Sequence, residues 1–134
     1  MEKQAKILLV DDDPDFIAAT VEVLNSQPYE VITAKNGVEG LEKARSEKPD
    51  LILLDIIMPR MDGFETCQRL KSEPELADIP VVMLTSFSER YMETSLALSQ
   101  GLSLEADDFI DKPVRPAELL VRVEKQLRKK SAKS

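Results

Sequence analysis

The sequence predicts an α/β domain: a five-stranded parallel sheet, doubly wound in the strand order 2-1-3-4-5, with helices on both faces in a three-layer sandwich. Three observations predict it. Short apolar runs alternate five times with segments of helical period. The runs are uniformly apolar, as strands covered on both faces are, rather than alternately polar and apolar. Acidic, hydroxyl and basic residues sit where the runs end, as they do where an open sheet carries a site at its carboxyl edge.

Residues 7–10 form the first strand. Asp13-Pro14 then starts a helix, with Asp as N-cap and Pro at the first helical position. That helix runs to about Ser26 with Phe16, Ala19 or Thr20, and Val23 on one face. Residues 30–34 are the second strand, Asn36-Gly37 punctuates it, and residues 38–47 are a weaker helix containing Gly40. Residues 51–54 are a continuous apolar strand ending at Asp55. A turn-rich loop over 59–63 leads to a third helix over 64–72, with Phe64, Cys67 and Leu70 on one face. Pro80 precedes a fourth strand over 81–84, and Ser86 with Glu89 makes a capping box for a fourth helix reaching about Gln100. Phe109-Ile110 belongs to a short fifth strand, and Pro116 opens a fifth helix with Leu120, Val123 and Leu127 at helical spacing. The basic end from Lys129 is expected to fray. The domain is placed at residues 1–130, and 131–134 is read as a basic tail or the start of a linker.

The chain has 134 residues, 43% hydrophobic and 32% charged, which suits one globular domain. Its net charge of −7 argues against direct nucleic-acid binding, because phosphate backbones reward Lys and Arg. The single cysteine, Cys67, cannot close an internal disulfide, and no stretch approaches a membrane span. A reduced, cytoplasmic setting without membrane attachment is the expectation. The absence of histidine removes Ser–His–Asp hydrolysis and any internal histidine phosphodonor.

In the order 2-1-3-4-5 the sheet reverses direction between strands one and three, and a ligand site belongs there. Those strands deliver Asp11, Asp12 and Asp55. Carboxylates gathered so closely repel one another unless a cation compensates. Mg²⁺ suits the set, since it takes a few carboxylates, keeps waters and completes its shell with phosphate oxygens. The fourth strand adds Thr85 and the fifth runs into Lys112. An acidic metal pocket with a hydroxyl and an ammonium fits phosphoryl transfer, with a carboxylate able to act as nucleophile.

Several segments carry a family resemblance: Leu8-Leu9-Val10-Asp11-Asp12-Asp13-Pro14, Pro49-Asp50-Leu51-Ile52-Leu53-Leu54-Asp55-Ile56-Ile57-Met58-Pro59, Met61-Asp62-Gly63, Ile79-Pro80-Val81-Val82-Met83-Leu84-Thr85-Ser86 and Asp107-Asp108-Phe109-Ile110-Asp111-Lys112-Pro113. Together, in this order, they resemble the receiver domains of response regulators in two-component signalling, which have a flavodoxin-like fold. The resemblance implies Asp55 as phosphoacceptor, Asp12 as a direct Mg²⁺ ligand, Asp11 as a ligand mainly through water, and the backbone carbonyl of Ile57 as another. It implies that Thr85 contacts the phosphoryl group and moves on activation, that Lys112 pairs with the phosphoryl group, and it allows a cis Lys112-Pro113 bond. The donor would be a histidine kinase or a histidine phosphotransfer protein. The output would be a downstream protein target or output domain, reached through the face made by the fourth helix, fifth strand and fifth helix.

Bland readings stand beside these. Asp13 is the cap of the first helix, Asp107 and Asp108 flank the last strand, and Cys67 packs inward. Phe109 is either the aromatic that follows Thr85 on activation or plain core. The interval from Thr85 to Lys112 is a few residues longer than such domains use, with the surplus at 101–106. The apolar pair Ile57 and Phe87 is expected to keep water from an acyl phosphate. The rival reading is a Mg²⁺-dependent phosphatase of the haloacid dehalogenase type, with Asp11 as nucleophile in Asp11-Asp12-Asp13 and the pair Asp107-Asp108 as further acids. Against it, Lys112 follows that pair instead of preceding it, and Asp55 is left without a role.

Overall fold

A computed structural model describes residues 4–56, 62–86 and 106–133. Its elements are β1 (Ala5–Val10), α1 (Pro14–Leu24), β2 (Tyr29–Ala34), α2 (Gly37–Glu47), β3 (Leu51–Asp55), α3 (Gly63–Ser72), β4 (Val81–Ser86), β5 (Asp108–Lys112) and α4 (Pro116–Lys133). The helix expected over 86–100 and the long interval at 101–106 fall almost wholly outside the described residues. The C-terminal helix is therefore numbered α4.

All strand pairs are parallel and the order is β2-β1-β3-β4-β5, as the uniformly apolar runs predict. Register makes the strand ends coincide. Val10 pairs with Ala34 and Leu54, Asp55 with Leu84, and Ser86 with Lys112.

The period-two alternation of the strands divides the core between two layers. Leu8, Val10, Ile52, Leu54, Val81 and Met83 pack with Leu41 and Ala44 of α2 and Cys67 and Leu70 of α3. Ile7, Leu9, Leu51, Leu53, Val82 and Leu84 pack with Leu24 of α1 and Leu119 and Val123 of α4. The four apolar residues of β3 have no exposed surface, which makes it the spine of both layers. At about 2–3 kcal/mol for each such side chain, they anchor the strand that carries Asp55.

Caps set the helix starts. Asp13 caps α1 by accepting from the N–H groups of Asp15 and Phe16, with Pro14 at the first position. Asn36 caps α2 through the Glu39 N–H, and Asp62 caps α3 through the Glu65 N–H. Gly63, expected as the end of a loop, is the first residue of α3, because the Asp62 cap precedes it. Its N–H donates to the Ile56 carbonyl at 2.6 Å.

Three expectations shift. β4 continues through Ser86 instead of stopping at Leu84, because β5 offers Asp111 and Lys112 as partners for Thr85 and Ser86. On α1, where the spacing allows Ala19 or Thr20, Thr20 is the buried one, in keeping with the expectation. The stripe of α4 is centred on Leu119, Val123 and Gln126, with Leu120 and Leu127 on its flanks. The basic stretch from Lys129, expected to fray, continues α4 to Lys133.

Candidate functional site

β1 and β3 lie side by side at the point where the sheet reverses direction, and their carboxyl ends open the crevice expected there. Asp11 follows Val10, and its N–H still donates to the Ala34 carbonyl at 3.1 Å, so it is held as an extension of β1. Asp55 is the last residue of β3. Asp11 is wholly buried, Asp55 nearly so, and Asp12 exposed. One carboxylate oxygen from each of the three lies within 4.8 Å of the others.

The counter-charge comes from two strands away. Lys112 ends β5, and its Nζ donates to Asp11 Oδ2 at 3.0 Å and to Asp55 Oδ1 at 3.2 Å. Burial alone would lower the Lys112 pKa. The Coulombic pull of Asp55, with the charge of Asp11 and the hydrogen bonds to both carboxylates, outweighs burial and raises it above the ordinary lysine value. The crowding of acids is thus partly compensated by the protein's own ammonium. The Lys112-Pro113 bond is cis.

Asp11 uses both oxygens: Oδ1 accepts from the Asp13 N–H at 2.9 Å while Oδ2 takes Lys112. Asp13 thus does double duty, bonding Asp11 through its backbone and capping α1 through its side chain. The Phe16 ring, in the first turn of that helix, lies beneath the ammonium with its centroid 4.3 Å from Lys112 Nζ. The sequence placed Phe16 on the apolar face of α1 but held no sign of this contact, since nothing local links it to a lysine on the far strand.

The remaining expected residues fall as follows. Thr85 lies in β4 opposite Asp111 in β5, and only its backbone is described. Phe109 is half-buried in β5 and packs against the core layer of α2 and α3. Ile57 and Phe87 lie outside the described residues. Asp107 Oδ2 accepts from the Val81 N–H at 2.8 Å and from Lys71 Nζ at 3.1 Å. Asp108 pairs with Arg122 of α4 at 2.6 Å. Both acids stand at the start of β5, at the opposite end of that strand from Lys112. They flank the strand as expected and bring no acid to the crevice, which removes the second acidic group that a phosphatase reading would need.

Fold and site together define a doubly wound α/β domain with an acidic crevice and a bridging lysine at its switch point. Residues 7–124 match the response regulator receiver domain family, and the chain belongs to it, a signalling module of two-component systems. It is 40% identical over 124 residues to the alkaline phosphatase synthesis transcriptional regulatory protein PhoP of Bacillus subtilis, covering 92% of this chain and 49% of that one. It is 39% identical over 127 residues to hybrid signal transduction histidine kinase D of Dictyostelium discoideum, covering 95% of this chain and 8% of that one. Among solved structures, a CheY-like response regulator receiver domain protein from Methanospirillum hungatei superposes with a TM-score of 0.84 at 30% identity, covering 98% of this chain and 100% of that one. The chain spans about half the length of the first curated relatives it matches. Among the described residues no helix is long and apolar enough to cross a membrane.

Proposed function

We propose that this domain is a phosphoacceptor switch that takes a phosphoryl group onto Asp55 from a phosphohistidine of a histidine kinase or histidine phosphotransfer protein. The observation that carries the reading is the pairing of a nearly buried Asp55 with Lys112 Nζ at 3.2 Å, inside a cluster completed by Asp11 and Asp12. The donor set is all carboxylate oxygen, two of its three members buried, which fits a hard divalent cation. Both oxygens of Asp11 already accept hydrogen bonds, which supports a share for it mainly through water. Asp12 and Asp55 are the direct carboxylate ligands in this reading, with the Ile57 carbonyl as a further ligand. Bound there, Mg²⁺ supplies positive charge to the phosphoryl oxygens.

In the reaction an Asp55 carboxylate oxygen attacks phosphorus in line. A P–O bond forms as the donor's P–N bond breaks, and the departing imidazole keeps the bonding pair and takes a proton from solvent. Lys112 neutralises charge on the transferred group, and the Thr85 hydroxyl donates to one of its oxygens. These contacts exist only in the active state, so the phosphoryl group shifts a two-state equilibrium in which Thr85 and Phe109 change position. The domain promotes its own phosphorylation and dephosphorylation and acts on no separate substrate. Its output runs to a protein target or an output domain, in keeping with relatives that extend well beyond the matched region. The domain is assigned to residues 1–130, and 131–134 to a basic tail or the start of a linker. A cytoplasmic setting is in keeping with the single cysteine.

The test is incubation of the protein with phosphoramidate and MgCl₂, followed by intact mass measurement. One phosphoryl group per chain, dependent on Mg²⁺ and absent in Asp55→Asn, is the expected result. An adduct that persists in Asp55→Asn, or sustained turnover of the donor without an adduct, would overturn the reading.

A further inference from the structure

We infer that Phe16 is a positioning residue for Lys112, holding the ammonium over the crevice by attraction to the face of its ring. This rests on the reading of Asp55 as phosphoacceptor and adds to it a residue that acts through Lys112.

Lysine carries a compact charge on a flexible stem of four carbons, so its reach does not by itself fix its position. Two of its three donors go to Asp11 and Asp55. The bond to Asp55 cannot stay as it is during the proposed reaction, because that carboxylate becomes an acyl phosphate. The ring contact involves neither carboxylate. With the centroid 4.3 Å from Nζ, it lies well inside the roughly 6 Å range over which the negative face of an aromatic ring attracts a cation. The Lys112 side chain is only 23% exposed, so little water screens that attraction.

The ring is itself fixed. Asp13 Oδ1 accepts from the N–H groups of Asp15 at 3.0 Å and Phe16 at 3.4 Å, locking the first turn of α1. The Asp13 N–H returns to Asp11 Oδ1 at 2.9 Å. Contacts therefore run in a closed circuit from Asp11 through Asp13 and Phe16 to Lys112 and back to Asp11. Phe16 also packs against the core layer of α1 and α4. A leucine would keep much of that packing but would have no charged face to offer.

The experiment replaces Phe16 by mono-, di- and trifluorinated phenylalanine, which keep the ring's shape while draining its face of negative charge. Phosphorylation of Asp55 by phosphoramidate is expected to slow stepwise, by about five- to tenfold at the trifluorinated ring, and Phe16→Leu to fall at or below that rate. In the Mg²⁺-free protein, hydrogen exchange of the Lys112 ammonium, followed by ¹⁵N NMR, is expected to quicken in the same order. Equal phosphorylation rates and equal exchange across the series would overturn the inference, leaving Phe16 as packing alone. If the parent protein takes no phosphoryl group, the function proposed above fails, and the exchange series still decides whether the ring holds the ammonium.

Discussion

Lys112 reaches from the end of β5 over β4 to Asp55 at the end of β3, its Nζ 3.2 Å from Oδ1. Its second carboxylate, Asp11, stands one strand further still. A single ammonium thus ties the end of β5 to the ends of the adjacent pair β1 and β3, from which β4 separates it. In the metal-free protein it supplies charge that a divalent cation would also supply, which sets the two in competition for the same oxygens.

That competition makes Lys112→Met informative. Removing the ammonium leaves Asp11 and Asp55 buried without their cation, and the metal-free protein is expected to lose about 2–4 kcal/mol. The same change frees oxygens for metal, so Mg²⁺ is expected to bind more tightly and to recover a larger share of stability than in the parent. Phosphorylation nonetheless slows. Urea titrations with and without MgCl₂ read the first two effects. A variant that binds Mg²⁺ no better than the parent would contradict the competition.

The raised Lys112 pKa gives this stabilisation a pH signature. A group whose folded pKa lies above its unfolded value contributes fully below the unfolded value, about 10.4 for lysine, and loses the contribution as pH rises through the folded value. The stability difference between parent and Lys112→Met in Mg²⁺-free buffer is therefore expected to be flat from neutral pH upward and to shrink only in strongly alkaline solution. Urea midpoints of the two proteins across that range give the measurement.

Two glycines separate backbone constraint from side-chain constraint. A Cβ on Gly63 would lie 2.4 Å from the Asp55 carbonyl oxygen and 2.6 Å from Ile56 Cα, backbone atoms that cannot yield without moving the strand end that carries Asp55. Gly63→Ala is expected to cost about 2–3 kcal/mol and to slow phosphorylation with it. On Gly40 the nearest atoms are the two Val10 methyls at 3.0 and 3.1 Å, side-chain atoms that need to give by only a few tenths of an ångström. There the gain in helix propensity, about 1 kcal/mol, largely offsets the crowding, and Gly40→Ala is expected to stay within about 1 kcal/mol of the parent. Thermal melts of both variants test the contrast.

Much of this was legible in the sequence, for a physical reason. β3 is buried on both faces, so every residue of it had to be apolar until Asp55, and that break marks the site. Asp11 and Asp12 were legible the same way, as a surplus of acids beyond the one that caps α1. β5 was only half legible, because an edge strand keeps polar residues such as Asp108 and Asp111 that periodicity cannot assign. The rotation of α4 is legible only approximately, since Leu119 and Leu120 both fit a helical stripe and only packing against the sheet chooses between them. Buried Gln126 carried no signal at all. The contact of Phe16 with Lys112 was illegible because it is made by the closure of the whole sheet.

Arg122 offers a test at the other end of β5. Its Nη1 donates to Asp108 Oδ1 at 2.6 Å and to the Phe109 carbonyl at 3.3 Å, fastening α4 to the start of the strand that ends in Lys112. Burial would raise the Asp108 pKa, but the hydrogen bonds from Arg122 and the Phe109 N–H, with the charge of Arg122, hold it below the usual carboxylate range. Asp108 Oδ2 is buried without a partner, so the Arg122 contact is the main compensation for taking this acid out of water. With about a third of the Arg122 side chain in solvent, Arg122→Met is expected to cost about 1–2 kcal/mol at neutral pH, less than a fully buried pair would. A depressed carboxylate pKa contributes stability above the unfolded value, about 3.9, and loses it as pH falls through the folded value. The gap between parent and Arg122→Met should therefore be constant near neutrality and close in acid below that point. Urea unfolding of both proteins from neutral pH into acid measures it, and a gap that widened there would show that the ion pair is not what Arg122 contributes.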